Sequence, residues 1–148
     1  MKKLLANIVM VTLLFAFILP MNASAVEAIN ASIITNTYLS PSALVSGSDG
    51  NLYIADETGN RIMVLSRSTE TVTRTISLPG SPGGIAISSN SATLYVTDQS
   101  PAGKVYVINT ASGAITSTIN VGHTPVSPVL SSDGSKLYVC NRFSNSVS

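Results

Sequence analysis

Three stretches of the chain repeat one short motif at nearly constant spacing. They are Asp49-Gly-Asn-Leu-Tyr-Ile-Ala-Asp56, Asn90-Ser-Ala-Thr-Leu-Tyr-Val-Thr-Asp98 and Asp133-Gly-Ser-Lys-Leu-Tyr-Val-Cys-Asn141. Their Leu-Tyr pairs start at Leu52, Leu94 and Leu137, 42 and 43 residues apart, and Pro41, Pro82 and Pro125 recur at 41 and 43. Two independent landmarks therefore give one period. A helical repeat of that length needs apolar stripes every three to four residues, and the chain has none. Its apolar runs are short, rich in Val, Ile, Tyr and Thr, and divided by Gly, Asn, Asp, Ser and Pro, which is strand and turn chemistry.

A period of 40 to 45 residues made of short strands predicts an all-β chain, a β-propeller of four-stranded antiparallel blades. The second repeat gives the clearest strand map. Gly84–Ser88 is a small-residue inner strand, followed by Thr93–Thr97, Lys104–Asn109 and a half-polar outermost strand over Ala114–Val121. The first repeat places strands at Ala43–Ser46, Leu52–Ala55, Ile62–Ser66 and Thr71–Leu78. The third offers Val126–Ser131 and Leu137–Cys140, then the start of a third strand at Ser146. Blade cores thus fall at about 41–78, 82–121 and 125–148, the last incomplete. Closed propellers use about four to eight blades, so two and a half blades predict the N-terminal part of a larger propeller. The competing expectation is a small protein that closes its ring by oligomerising. Ile33–Leu39 alternates like an outer strand and is expected to pair with the last blade of the complete ring.

Residues 1–25 read as a secretory signal peptide. Lys2 and Lys3 precede a stretch, residues 4–19, in which 14 of 16 residues are apolar, and Pro20 and Ala23-Ser24-Ala25 supply a break and a cleavage site. The alternative is an uncleaved anchor, which the short apolar core disfavours. The mature chain, 26–148, is then expected to be exported to the periplasm, the cell surface or the medium, with no stable membrane span after cleavage. Its six basic and seven acidic residues are scattered, which argues against nucleic acid or anionic membranes as partners. Cys140 is the only cysteine, so no disulfide forms within the chain. It takes the place of Ala55 and Thr97 and reads as a small buried residue.

Blade geometry brings the loop leading into each inner strand and the loop between the second and third strands to one end. That end gathers Asp56, Glu57, Asp98, His123 and Arg142. Asp56, Asp98 and Asn141 hold equivalent places, where a short polar side chain caps a turn. His123 breaks the repeat, since Leu39 and Gly80 stand at its position, and Arg142 replaces Glu57 and Gln99. Asp98, His123 and Arg142 are therefore the candidate binding residues. No motif nominates a catalytic residue or a metal site, because a lone His without carboxylate or His partners does not hold a metal. No cofactor is identified.

The stretch Asp133-Gly-Ser-Lys-Leu-Tyr-Val-Cys-Asn141, followed by Ser146-Val-Ser148, resembles the YVTN-type β-propeller repeat. Blade one, with Leu52-Tyr-Ile-Ala-Asp56 and Gly59-Asn-Arg-Ile-Met-Val64, looks more like the related NHL-type repeat. The resemblance covers the chain from about residue 41 onward. It implies an exported propeller that acts as a binding or cell-surface interaction scaffold, with a protein, a glycan or a small molecule on the loop face. The alternative it leaves open is an enzyme, a lactonase-like hydrolase or a cofactor-dependent oxidoreductase, since a propeller fold does not fix function.

Overall fold

A computed structural model describes residues 39–148. The leader, and all of the alternating segment 33–39 except Leu39, lie outside the described residues.

The described chain is all β, with no helix among the described residues, and forms three antiparallel sheets. The first holds β1 (Pro41–Ser46), β2 (Asn51–Asp56), β3 (Arg61–Ser66) and β4 (Thr71–Ser77) in that spatial order. The second holds β5 (Pro82–Ile87), β6 (Thr93–Asp98), β7 (Lys104–Asn109) and β8 (Ile115–Asn120) in the same order. The third has β9 (Pro125–Leu130), β10 (Leu137–Asn141) and the short β11 (Ser146–Val147). Inner strands converge: β5 lies against β1 on one side and β9 on the other. The result is an open arc of blades, a partial β-propeller.

Each blade repeats the same backbone devices. The leading proline pairs with the last residue of the second strand, Pro41 with Asp56, Pro82 with Asp98 and Pro125 with Asn141. The next residue donates its N–H to the carbonyl before that proline: Glu57 to Ser40, Gln99 to Ser81, Arg142 to Thr124. The turn into the third strand ends on a left-handed residue each time, Asn60, Gly103 and Asn145. Asn and Gly tolerate that conformation, which is why the turns recur at these positions.

The apolar core lies between the first two sheets. Tyr53, Ala55, Ile62, Val64 and Ile76 of the first pack on Ile85, Leu94, Val96, Tyr106 and Ile108 of the second. Fully burying one such aliphatic side chain is worth about 1.5–3 kcal/mol. The second and third sheets meet closely at the axis. A Cβ on Gly84 would come within 2.7 Å of Pro128 Cδ and 3.0 Å of the Ser127 backbone nitrogen, so only glycine fits.

One expectation is corrected. Cys140 is exposed, whereas Ala55 and Thr97 at the same repeat position are fully buried. Cys140 faces away from the second sheet, and among the described residues no further sheet covers that side.

Candidate functional site

The polar residues that end each second strand are structural locks. Asp56 accepts the Ser40 N–H at 3.0 Å and the Gly59 N–H at 3.4 Å on Oδ1, and the Arg61 Nε–H at 2.7 Å on Oδ2. Burial works against ionisation of Asp56, but the Ser40 N–H, the Arg61 guanidinium and the Gly59 N–H outweigh it and hold the carboxyl below its ordinary value. Asp98 accepts the Ser100 N–H at 3.0 Å and the Tyr106 hydroxyl at 2.7 Å. Burial, with the Asp98 carboxylate beside it, pushes the Tyr106 phenol up to about 12. Asn141 donates from Nδ2 to Ser146 Oγ and Ser148 Oγ, while its buried Oδ1 has no partner. Asp56 clamps this hairpin to the loop that leads into its blade, whereas Asp98 and Asn141 bond only the hairpin and the third strand.

Of the candidate binding residues, the structure brings His123 and Arg142 together and places Asp98 elsewhere. Asp98 is buried, and both its oxygens are engaged within its own blade. His123 and Arg142 are exposed at the loop end of the third blade, both beside Phe143. The His123 ring meets Phe143 edge-to-face with centroids 5.6 Å apart, and the Arg142 guanidinium carbon lies 5.4 Å from the Phe143 ring centre. The backbone fixes this trio: His123 donates its N–H to Ser144 Oγ at 3.1 Å and accepts the Phe143 N–H on its carbonyl at 3.3 Å. Thr124, whose Oγ1 lies 2.8 Å from His123 Nδ1, has φ +51°, a costly conformation for a β-branched residue.

Sequence reasoning missed Phe143. The signal was present, because the equivalent turn positions carry Thr58 and Ser100, so Phe143 breaks the repeat just as His123 does. It is 65% exposed.

The opposite end of the arc has a cleft of about 420 Å³ between the first two blades, lined by Asp49, Asn51, Tyr53, Arg74, Asn90 and Thr110 among others. Its charged groups are already paired. Asp49 accepts from Asn51 and Tyr53, and Arg74 donates to the carbonyls of Thr110 and Ala111. Among the described residues, no group of three His, Cys, Asp or Glu side chains is placed to hold a metal ion.

The chain matches no family model and no curated protein. Among solved structures it is similar to the hydrazine synthase of Kuenenia stuttgartiensis, with a TM-score of 0.65 and 24% identity over 73% of this chain and 32% of that one. It is also similar to a protein of unknown function from Bacteroides caccae, with a TM-score of 0.57 and 17% identity over 66% of this chain and 37% of that one. At these identities the similarity establishes the fold alone, and the chain spans about a third of the length of either structure.

Proposed function

We propose that this chain is part of an exported YVTN-type propeller that serves as a binding or cell-surface interaction scaffold, making its contact at the loop end of the third blade. The observation that carries the reading is the exposed Phe143 in contact with both His123 and Arg142. The blade supports a rigid hairpin, and three side chains that break the repeat meet on it, one apolar and flat, one always cationic, one a hydrogen-bonding ring. This set suits a ligand with a flat apolar face against Phe143 and an anionic group on Arg142, as an acidic glycan provides. Asp98 takes part by fixing the neighbouring hairpin. The leader at 1–25 and the low, scattered charge of the mature segment support export.

Titration of the full chain with uronic-acid oligosaccharides and their neutral counterparts tests this. The acidic series is expected to bind, and Arg142→Ala or Phe143→Ala to weaken it by about tenfold or more, a loss of at least about 1.4 kcal/mol. Equal binding of neutral sugars, or no effect of either substitution, would overturn the reading.

A further inference from the structure

The bonds that hold the charged groups of the cleft between the first two blades are all to neutral partners. Asp49 accepts the Asn51 N–H at 3.1 Å on Oδ1, and the Asn51 side-chain amide and the Tyr53 hydroxyl, each at 2.8 Å, on Oδ2. Burial opposes ionisation of Asp49, but the bonds from Asn51 and Tyr53 outweigh it and hold its carboxyl below the ordinary value, so it is an anion at neutral pH. Arg74 donates to the backbone carbonyls of Thr110 and Ala111. The single ion pair among the described residues is Arg61 with Asp56, at the loop end. The cleft thus keeps one ordered carboxylate and one ordered guanidinium, and neither meets an opposite charge of the protein.

The repeat shows that the fold requires neither charge. Asn90 makes in the second blade the turn that Asp49 makes in the first: each accepts on Oδ1 the N–H two residues on, at 3.0 Å from Ala92 and 3.1 Å from Asn51. Asp133 does the same in the third blade, so Asp and Asn serve that turn alike. Ser117, paired with Val107, holds the place that Arg74 holds beside Val64. The first blade carries both charges and the second carries neither.

Their spacing narrows the ligand. Asp49 leads into β2, and Arg74 projects from β4, the outermost strand of the same sheet. Two strand spacings separate β2 from β4, about 10 Å, close to the length of three extended residues. Two amides line the space between: Asn51 Oδ1 receives no donor and Asn90 Nδ2 meets no acceptor among the described residues. A free acceptor on one wall and a free donor on the other match the N–H and C=O of a peptide group. The volume, about 420 Å³, falls within the range of about 300–1,000 Å³ of small-molecule sites. We infer that this cleft binds a short peptide of two or three residues with both termini free, its ammonium group on Asp49 and its carboxylate on Arg74. The inference goes beyond the proposed function and is independent of it, because the cleft lies between two adjacent blades at the end of the arc opposite Phe143.

Calorimetric titration of the full chain with trialanine, its N-acetyl form, its C-terminal amide and free alanine tests the site. Trialanine is expected to bind at about 1 mM or tighter. Capping either terminus removes a charge-assisted bond and should weaken binding by about tenfold. Alanine, too short to reach both charges, should bind no better than the capped peptides. Asp49→Asn, which keeps the turn as Asn90 does, should cost trialanine about tenfold and erase its advantage over the N-acetyl form. Arg74→Gln should erase the advantage over the amide in the same way. Loss of a structural tie alone would weaken free and capped peptides equally, and that result in both variants would overturn the inference. So would capped peptides that bind the parent chain as tightly as the free one, or no binding of trialanine up to about 20 mM.

Discussion

The seam between the first and second blades and the seam between the second and third are made by the same repeat, yet they are held differently. Across the first seam, Ser42 donates to the Pro82 carbonyl at 2.9 Å, the Ser48 hydroxyl donates to the Ser89 carbonyl and meets Ser91 Oγ, and Arg74 reaches the carbonyls of Thr110 and Ala111. Beneath these ties lies the apolar core. Across the second seam, no side-chain hydrogen bond forms among the described residues. The residues explain why. Gly83 stands where Ser42 does, Gly134 where Ser91 does, and Ser117 where Arg74 does, so the second seam lacks the hydroxyls and the long guanidinium. It relies on close backbone approach at Gly84 and on packing around the buried Thr97 and Val105. In a repeat array stability is roughly a sum over neighbouring units and seams, and here the two seams draw on different contacts.

The sharpest way to break this comparison is to truncate the two equivalent tyrosines. Tyr53→Ala should cost about 3–5 kcal/mol in urea unfolding, since it opens a cavity in the core. Tyr95→Ala, at the equivalent place on the second seam and only half-buried, should cost less, about 1–2 kcal/mol. Equal losses would mean that both seams carry the same load.

Next in size is the lock of the first blade. Asp56→Asn removes a charge-assisted pair with Arg61 and should cost about 2 kcal/mol at neutral pH. The sign of the pH dependence follows from the lowered folded-state value of Asp56. The stabilisation is complete above the carboxyl's unfolded value of about 3.9 and is lost as the pH falls through the lower folded value. Denaturation followed down to about pH 2 should therefore show an acid-side loss of stability that Asp56→Asn diminishes. A variant with the same acid limb as the parent would remove Asp56 from the account.

The smallest effect tests the second seam. Gly84→Ala places a methyl against Pro128 and the Ser127 backbone and should cost about 1 kcal/mol, the low end for overpacking because the third blade can shift outward. Amide exchange should quicken in β9 and β10 and stay unchanged in β2 and β3. Uniform acceleration would show that the arc opens as one unit.

Strand positions were legible in the sequence nearly residue for residue, from Thr93–Thr97 against the observed Thr93–Asp98 to Lys104–Asn109, which coincides. The capping role of Asp56 and Asp98 was legible too, since a short acceptor at a strand end has few other local uses. Their distal partners were less so. Tyr106 reaches Asp98 from eight residues downstream, across a hairpin whose register sets the distance. His123 and Arg142 could be placed at one end of the arc, but Phe143, which joins them, stands at a turn position that Thr58 and Ser100 hold in the other repeats, where nothing in the turn pattern marks a contact residue.

The period and the strand limits follow from the sequence alone. These depend on local backbone chemistry and on an alternation of two that any strand must show. Only the tertiary structure decided which strand faces are covered. Tyr53 and Tyr138 occupy the same place in the same motif, as do Ala55 and Cys140, yet the first of each pair is buried and the second is open. Alternation tells a side chain which side of its sheet to take, and burial depends on whether another sheet lies there.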